Sequence, residues 1–409
     1  MAGFAGSLLL IVLLAFGATV GVAVWTTVPA LFLTAGWVVL AAGAVAATRI
    51  AFGGPLHVRT AAGTLAVLTV LGSLGLFWPE NSPRPPAPPG MQMVELSTGS
   101  HLAYLKLPAT GTPHPIPVVF VHGGPGVADM AGDSTYLRRL AAAGYDVYLY
   151  DQLGAGHSER LADPTGYTVE RALADLDAFR AFIGAPRVDL LGYSWGSTLS
   201  ASYLARHPDR VAKVVFVSPG PMVRGASDVN DLLAHLSFDQ RLKVYGQAMI
   251  PRALLAWTLT QVNPRAAHAF AGDDEMDARY RKISAAAAPG LFCHPIHTSG
   301  GDVGFYANAA MLRPGVWRGI DPHLTLRHVQ TPALIVKGSC DYLSWSSAVD
   351  YRTTLPDARM VYLKGAGHEA YAEEPDAFFA AVEAFLADRP LPVPVETSTT
   401  APAGYRGPP

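Results

Sequence analysis

Long apolar runs dominate the first 78 residues of the chain. Three of them cover Phe4–Trp25, Val28–Thr48 and Thr60–Trp78, and the stretch from Met1 to Thr48 contains no Asp, Glu, Lys, Arg or His. A helix needs about 20 such residues to cross the hydrocarbon core of a bilayer, because each residue adds about 1.5 Å. The pattern therefore predicts three transmembrane helices, at about residues 4–25, 28–48 and 60–78.

The main alternative for the first apolar run is a cleaved signal peptide. That run lacks a basic n-region and is longer than a usual h-region, which favours a membrane helix. The loop predicted between the second and third helices carries Arg49, His57 and Arg59, and cationic loops stay on the cytoplasmic side. The sequence therefore predicts a multi-pass membrane protein that is held in the lipid bilayer by its N-terminal helices, with the remaining domain outside the cytoplasm.

Short apolar runs alternate with helical segments from residue 91 onwards. Before them, residues 79–90 contain six prolines in twelve positions, which predicts a stiff linker. Helices are predicted at Thr168–Ile183 and Phe378–Leu386. Buried strands are predicted at Val118–Val121, Asp146–Tyr150, Val188–Leu191, Val214–Ser218, Ala333–Lys337 and Met360–Leu363. This alternation is typical of a doubly wound α/β fold with a mostly parallel sheet.

Two regions depart from the alternation. Residues 219–322 lie between two predicted strands, whereas a simple crossover needs only about 12 residues, so this segment is predicted to be an inserted helical cap. The proline-rich tail, residues 391–409, is predicted to be disordered. A catalytic domain is thus expected over residues 91–390.

Composition excludes several classes of function. The 30 Lys and Arg residues nearly balance the 32 Asp and Glu residues and form no basic run, which argues against a nucleic-acid partner. No metal or cofactor is predicted, because the chain contains no His-Glu-x-x-His, no Cys-x-x-Cys and no glycine-rich phosphate loop. The two cysteines, Cys293 and Cys340, could form one bridge or remain free thiols.

The motif Gly192-Tyr193-Ser194-Trp195-Gly196 follows a predicted strand and opens a predicted helix. In that setting, Gly-x-Ser-x-Gly forms a sharp turn that exposes the serine hydroxyl above the sheet, beside the helix N-terminus. The bare pattern arises easily by chance, so the strand–turn–helix setting carries the prediction. Ser194 is the predicted nucleophile.

Two partners for this serine follow later strands. Asp341 comes after Ala333–Lys337 and His368 comes after Met360–Leu363, in the order expected for a nucleophile on such a turn. Both lie at the C-terminal ends of strands, where open α/β sheets place their sites. The alternative is that Asp341 caps a turn and His368 is a surface loop residue. Order and position together favour a triad with Ser194.

An oxyanion hole needs two backbone N–H groups. One is expected from Trp195, directly after the nucleophile. The other is expected from the loop Val121-His-Gly-Gly-Pro-Gly126, where glycines let the backbone approach a substrate. Gly124 is the predicted donor and Gly123 the runner-up, although a Gly/Pro-rich loop is often only a turn.

Three motifs together resemble the proline iminopeptidase (prolyl aminopeptidase) family of α/β-hydrolases. They are His122–Gly126, Asp151–Ser158 and Gly192–Ser197, and the resemblance covers roughly residues 91–390. It implies an α/β-hydrolase fold with an inserted cap, no cofactor, and cleavage of N-terminal residues, often proline, from peptides. It also implies that Ser194, Asp341 and His368 form the triad. The chain departs from the family at Leu153, where the family usually has Arg.

The resemblance also bears on the substrate's free amino group, to which the family's cap typically offers acidic residues. Asp273, Asp274, Glu275 and Asp277 cluster in the predicted cap, and Glu275 is the candidate anchor. A run of four acidic residues is otherwise typical of a solvated helix face.

The predicted function is that of a membrane-anchored serine hydrolase, an aminopeptidase of the proline iminopeptidase kind that acts on peptides through an acyl-enzyme. An esterase or another hydrolase of small acyl substrates is the alternative, because fold and triad do not choose the substrate. A third possibility is a non-catalytic membrane protein that uses a dead hydrolase domain for binding. The intact set of Ser, Asp, His and oxyanion loop argues against it.

Overall fold

The computed structural model describes residues 2–52, 54–76, 78–223, 231–294, 296, 301–313, 316–317 and 321–408. Of the predicted cap, residues 224–230, 295, 297–300, 314–315 and 318–320 lie outside the described residues, as does residue 77 of the predicted third membrane helix. The chain divides into two compact units. One contains residues 1–82, 162–165 and 245–279, and the other contains residues 83–161, 166–244 and 280–409.

The first unit begins with three long helices, α1 (Ala2–Ala23), α2 (Pro29–Phe52) and α3 (Gly54–Leu76). Small residues let α1 and α2 approach each other closely. A Cβ added at Gly43 would lie 2.7 Å from the side chain of Ile11. Contacts of this kind are typical of helices that pack within a membrane, where backbones approach at glycine.

Two of these helices, α1 and α2, are long and apolar enough to cross a membrane, over Gly6–Ala23 and Pro29–Ala51. The predicted third membrane helix is not confirmed, because the apolar part of α3 covers only Arg59–Gly72. The loop predicted between Arg49 and Arg59 is wrong: both arginines lie within helices. Arginine is a good helix former, so a charged residue at the end of an apolar run need not end the helix.

The first unit also includes part of the predicted cap. Its helices here are α8 (Pro251–Val262) and α9 (Pro264–Phe270). The side-chain amide of Asn263 donates a hydrogen bond of 2.9 Å to the carbonyl of Ala23. The rings of Phe32 and Phe270 meet edge to face at 6.2 Å. This part of the predicted cap is therefore a packing partner of the N-terminal helices.

The second unit is built around an eight-stranded sheet in the order β1-β2-β5-β3-β6-β7-β9-β10. The pairs β1–β2 and β2–β5 are antiparallel, and the other neighbours are parallel. The strands are β1 (Gln92–Glu95), β2 (His101–Leu107), β3 (Val118–Val121), β5 (Val147–Tyr150), β6 (Val188–Tyr193), β7 (Val211–Val217), β9 (Ala333–Gly338) and β10 (Ala358–Leu363), with a separate pair of β4 (Val127–Ala128) and β8 (Asp302–Val303).

Helices alternate with these strands along the chain. They are α4 (Met130–Ala142), α5 (Val169–Phe182), α6 (Trp195–Arg206), α11 (Phe305–Met311), α12 (His323–Leu326), α13 (Trp345–Thr354), α14 (Ala370–Glu373) and α15 (Pro375–Leu386). Two further helices, α7 (Phe238–Ala248) and α10 (Asp273–Ala287), have residues in both units. The doubly wound α/β fold with a mostly parallel sheet is thus confirmed.

The predicted strands are confirmed, with ends that shift by up to three residues, as where β7 begins at Val211 instead of Val214. The helix predicted at Thr168–Ile183 is confirmed as α5, and the hydroxyl of Thr168 accepts the N–H of Arg171 as its N-cap. The apolar-run pattern does not predict β1 and β2, because polar residues interrupt both strands.

The prediction of a disordered tail over residues 391–409 is wrong for residues 391–408, and residue 409 lies outside the described residues. Val395 pairs with Val361 in an antiparallel bridge beside β10. Farther along, the N–H of Arg406 donates a hydrogen bond of 2.8 Å to the carbonyl of Ser339. The prediction failed because a proline-rich segment cannot build its own core, yet it can still dock on a sheet edge that already exists.

Cys293 and Cys340 form a disulfide with a Cα–Cα distance of 5.3 Å. The structure thus decides between the bridge and the free thiols. The bridge ties the segment after α10 to the residue immediately before Asp341.

Candidate active site

Ser194 occupies the turn between β6 and α6. Its backbone has φ 54° and ψ −116°, a conformation that residues with a side chain rarely adopt. The N–H of Ser194 donates a hydrogen bond of 2.8 Å to the carbonyl of Val217, which fixes the turn to the end of β7. Trp195 is the first residue of α6, so its N–H has no acceptor within the helix.

This turn requires glycine on both sides of the serine. A Cβ added at Gly192 would lie 2.6 Å from the carbonyl oxygen of Gly196. A Cβ added at Gly196 would lie 1.9 Å from the carbonyl oxygen of Val121. Strand, helix and the loop after β3 therefore meet at Ser194 with no space for a side chain between them.

Asp341 and His368 form a buried pair, in which Nδ1 of His368 and Oδ1 of Asp341 are 2.7 Å apart. Asp341 lies on the turn after β9, and His368 lies on the loop after β10. Both strands run parallel to β6, with β7 between β6 and β9. The sheet therefore brings the predicted nucleophile, acid and base to the same edge.

Asp341 is held in its ionised form by its surroundings. The ammonium of Lys337 lies 2.6 Å from Oδ2, and the N–H of Leu343 donates to Oδ1 at 3.1 Å. Burial alone would raise the pKa of Asp341, but Lys337 and His368 hold that pKa well below its usual range. Sequence reasoning identifies Lys337 only as part of a predicted strand. The one signal of a further role is its position as a lysine at the end of an apolar run.

A network of hydrogen bonds supports the predicted oxyanion loop. The N–H of Gln152 donates to Nε2 of His122 at 2.9 Å, and Nδ1 of His122 lies 2.9 Å from the carbonyl of Gly123. Nε2 therefore carries no proton, and Nδ1–H donates to Gly123. Burial lowers the pKa of His122 to about 4, so the ring is neutral at physiological pH.

Gln152 also connects this loop to the residue after the nucleophile. Its side-chain amide donates to the carbonyl of His122 at 2.9 Å and accepts from Nε1 of Trp195 at 3.0 Å. The two predicted sources of oxyanion donors are thus held by one side chain. Sequence reasoning uses the motif that contains Gln152 only for the family resemblance. It misses the role of Gln152 in connecting the two sides, because these contacts join residues 30 and 43 positions apart in the chain.

Both glycine candidates for the second oxyanion donor remain predictions. A Cβ added at Gly123 would lie 3.2 Å from Cβ of Ser194, so the backbone there approaches the nucleophile closely. Gly124 has φ 114°, in the region that favours glycine. Within the described part of the chain, neither N–H donates a hydrogen bond.

Aromatic rings surround the predicted base and the residue after the nucleophile. The rings of Tyr342 and Tyr193 lie 4.5 Å and 5.0 Å from the His368 ring. Trp317, which comes from the predicted cap, meets the ring of Trp195 edge to face at 5.0 Å. These rings form an apolar wall around the predicted base and Trp195.

Two carboxyl groups with raised pKa values act on Tyr193, whose ring lies beside the predicted base. Burial raises the pKa of Glu369, the residue after His368, to about 7, and the charges of Asp129 and Glu373 add to the effect. Burial likewise raises the pKa of Asp133 well above its usual range. Ionised carboxylates here would favour a positively charged group on a substrate.

Glu275 lies in the first unit, near the start of α10. It is buried, and its carboxylate accepts hydrogen bonds from Arg252 at 2.6 and 2.8 Å and from Arg279 at 3.0 Å. Two guanidinium groups therefore balance its charge within the predicted cap. Its role as an amine anchor stays a prediction. Among the residues that the structure describes, no cluster of three or more His, Cys, Asp or Glu residues could hold a metal ion.

Comparisons with known proteins agree with the fold. The model of the alpha/beta hydrolase fold family matches residues 116–375. The proline iminopeptidase of Xylella fastidiosa (strain 9a5c) is 28% identical over 305 residues, which cover 68% of this chain and 91% of that protein. The proline iminopeptidase of Heyndrickxia coagulans is 38% identical over 125 residues, which cover 30% of this chain and 41% of that protein.

Solved structures are similar at the level of the fold. The esterase RhEst1 from Rhodococcus sp. ECU1013 has a TM-score of 0.50 and 20% sequence identity, covering 74% of this chain and all of that one. A similarity of this degree concerns the arrangement of strands and helices, and the substrate does not follow from it.

The close approach at Gly196 yields a stability prediction. Gly196→Ala should lower the free energy of unfolding by about 3 kcal/mol or more, because the new Cβ would overlap the backbone carbonyl of Val121. Gly246→Ala is the matched control, since Gly246 lies inside α7 with nothing within 4 Å of an added Cβ. It should be neutral or stabilise the protein by up to about 1 kcal/mol. Denaturant unfolding measures both, and equal effects of the two changes would contradict the prediction.

Proposed function

The chain belongs to the α/β-hydrolase family and is proline iminopeptidase-like, and we propose that it is a serine hydrolase whose triad is Ser194, Asp341 and His368. The observation that carries the proposal is the Asp341–His368 hydrogen bond of 2.7 Å at the edge of the sheet where β6 delivers Ser194. The strained backbone of Ser194 supports it, because proteins maintain such strain chiefly at functional positions.

The proposed reaction is acyl transfer in two steps. Nε2 of His368 takes the proton from the hydroxyl of Ser194 as the oxygen attacks the substrate carbonyl. Asp341 keeps the proton of the imidazole on Nδ1 and stabilises the imidazolium that forms. His368 then protonates the leaving group, and water releases the acid product from the ester by the reverse proton path.

The negative oxygen of the tetrahedral intermediate needs fixed donors. We assign the N–H of Trp195, together with that of Gly124, to this role, with Gly123 as the alternative to Gly124. Support comes from Gln152, which hydrogen-bonds both to Trp195 and to the backbone of His122 and so fixes the spacing of the two sides. Removal of a single such donor typically costs about 10²–10³ in kcat.

For the substrate, we propose a peptide with a free N-terminal amine, so that the enzyme is an aminopeptidase. The names of the sequence relatives support this choice. Glu369, which follows His368 and whose pKa of about 7 leaves it partly ionised near neutral pH, also favours a cationic substrate group. An esterase of small acyl substrates is the second candidate, which the apolar wall around Trp195 would also suit.

We further propose that α1, α2 and α3 cross a membrane, which keeps Arg49 and Arg59 on the cytoplasmic side and places the catalytic domain outside the cytoplasm. The length and apolar composition of α1 and α2 support the anchor. The disulfide between Cys293 and Cys340 supports the location, because disulfides persist in oxidising compartments and are rare in the cytosol.

Replacement of the nucleophile tests the triad. Ser194→Ala should lower kcat by a factor on the order of 10⁵–10⁶ and abolish labelling by a fluorophosphonate, while the protein still folds. Ser202→Ala is the control, since Ser202 is a buried serine of the same helix, α6, and should retain both activity and labelling. Undiminished turnover in Ser194→Ala would refute the assignment.

A substrate panel tests the aminopeptidase proposal. Prolyl and other aminoacyl amides should be cleaved with a free amino group, and N-acetylation should lower kcat/KM by about 10- to 100-fold, because a charged hydrogen bond contributes about 1.5–3 kcal/mol. Short acyl esters complete the panel. Activity that ignores the free amine, together with rapid ester hydrolysis, would favour the esterase.

Protease added to intact cells tests the location. The hydrolase domain should be cut without permeabilisation, and the Cys293–Cys340 bridge should be resistant to thiol-modifying reagent before reduction. Full protection of the domain until the cells are permeabilised would place it in the cytoplasm instead.

A further inference from the structure

We propose that Lys337 is a positioning residue which, through Asp341, sets the pH range in which His368 acts as a base. The proposal rests on the triad proposed above. It makes the site a chain of four side chains, Lys337, Asp341, His368 and Ser194, instead of three.

The surroundings of Lys337 show that its position is specified. Lys337 is fully buried near the end of β9, a strand whose other residues, from Ala333 to Gly338, are apolar or glycine. Its ammonium donates to Oδ2 of Asp341 at 2.6 Å and to the carbonyl of Leu343 at 3.0 Å. A buried ammonium is costly unless it is paired and hydrogen-bonded, and here it is both.

The C-terminal tail covers the Lys337–Asp341 pair from one side. The ring of Tyr405 lies 5.8 Å from the ammonium of Lys337, at a distance that allows a cation–π interaction. The hydroxyl of Tyr405 donates to the carbonyl of Leu343, the same oxygen that accepts from Lys337. The tail therefore separates the Lys337–Asp341 pair from solvent, and the low local dielectric strengthens the effect of the ammonium on its neighbours.

The consequence for His368 follows from the two oxygens of Asp341. Oδ1 is hydrogen-bonded to the imidazole, and Oδ2 faces the ammonium. A positive charge on one side of the carboxylate opposes a second positive charge on the other, so it disfavours the imidazolium. The charge at position 337 is therefore coupled to that of His368 through the two oxygens of Asp341.

Other titratable groups lie around Lys337, Asp341 and His368, among them Tyr362 of β10, which is the cross-strand partner of Lys337. Tyr193 ends β6, and Tyr342 follows the acid on its own loop. Glu369 follows the base, and the N–H of Gly367 donates to Glu373 of α14. From the tail, Tyr405 covers the lysine and the guanidinium of Arg406 lies 3.6 Å from the sulfur of Cys340. All of these groups are unchanged in the variants below, so a shift between variants reports the charge at position 337.

The test measures the pH dependence of fluorophosphonate labelling at Ser194, and of kcat/KM on the best substrate, with the full-length protein. Lys337→Gln keeps a hydrogen-bond donor but removes the charge. Its acid-limb midpoint should move to higher pH by about one unit, since a nearby positive charge disfavours the protonated, charged form of a histidine. Lys337→Arg keeps the charge and should restore the wild-type midpoint.

Lys213→Met is the matched control. Lys213 lies on β7, a neighbouring strand, and pairs with Asp388 at 2.8 Å. Its loss should affect stability without moving the midpoint. A purely structural lysine at position 337 would behave in the same way, so an unmoved midpoint in folded Lys337→Gln overturns this inference. Absence of labelling in the wild type at every pH would overturn the proposed triad itself, and the inference with it.

A measurement on the wild type covers the case in which the position-337 variants do not fold. Lysine side-chain ¹⁵N NMR should show Lys337 as a slowly exchanging ammonium at pH 8, because its pairing with Asp341 opposes the burial that lowers the pKa of Lys337. A neutral amine at that pH overturns the proposal, because it could not oppose the imidazolium.

Discussion

The contact between the backbone of Gly196 and the carbonyl of Val121 is the constraint on which the rest of the site depends. It lets β6, α6 and the loop after β3 converge at Ser194, where an added Cβ would come within 1.9 Å of a backbone oxygen. Because the three elements are this close, the serine must adopt a positive φ, and its hydroxyl is set above the sheet edge. The same convergence places Gly123 beside the nucleophile, so the geometry of attack and the candidate oxyanion loop share one cause.

Much of this fold could be predicted from the sequence, because its central strands are buried on both faces. Such strands consist of continuous apolar runs, and Val118–Val121 was predicted with its observed ends. Edge strands do not follow this rule, which explains why β1 and β2 were missed. The tail shows a different limit: docking of Val395 against Val361 depends on a partner more than 30 residues away, and composition contains no information about it.

The residues of the site likewise fall into those that the sequence can locate and those that it cannot. Ser194, Asp341 and His368 could be located because each follows a strand, and the C-terminal ends of parallel strands lie at one edge. Gln152 and Lys337 could not, since their roles come from side-chain contacts that no motif or periodicity encodes. Glu275 shows a further limit: a cluster of acids suggested a ligand anchor, but the cluster could not show that this carboxylate accepts hydrogen bonds from Arg252 and Arg279.

Of the three predicted catalytic side chains, the acid has the most support from outside the sheet. Cys340, immediately before Asp341, is bonded to Cys293, which restricts the loop covalently. Tyr405 donates to the carbonyls of Asp341 and Leu343, so the tail holds the loop from the side of the solvent. A displacement of about 1 Å in a catalytic group can cost on the order of 10² in rate. The disulfide, the tail and Lys337 therefore together keep the carboxylate of Asp341 in place and ionised behind His368.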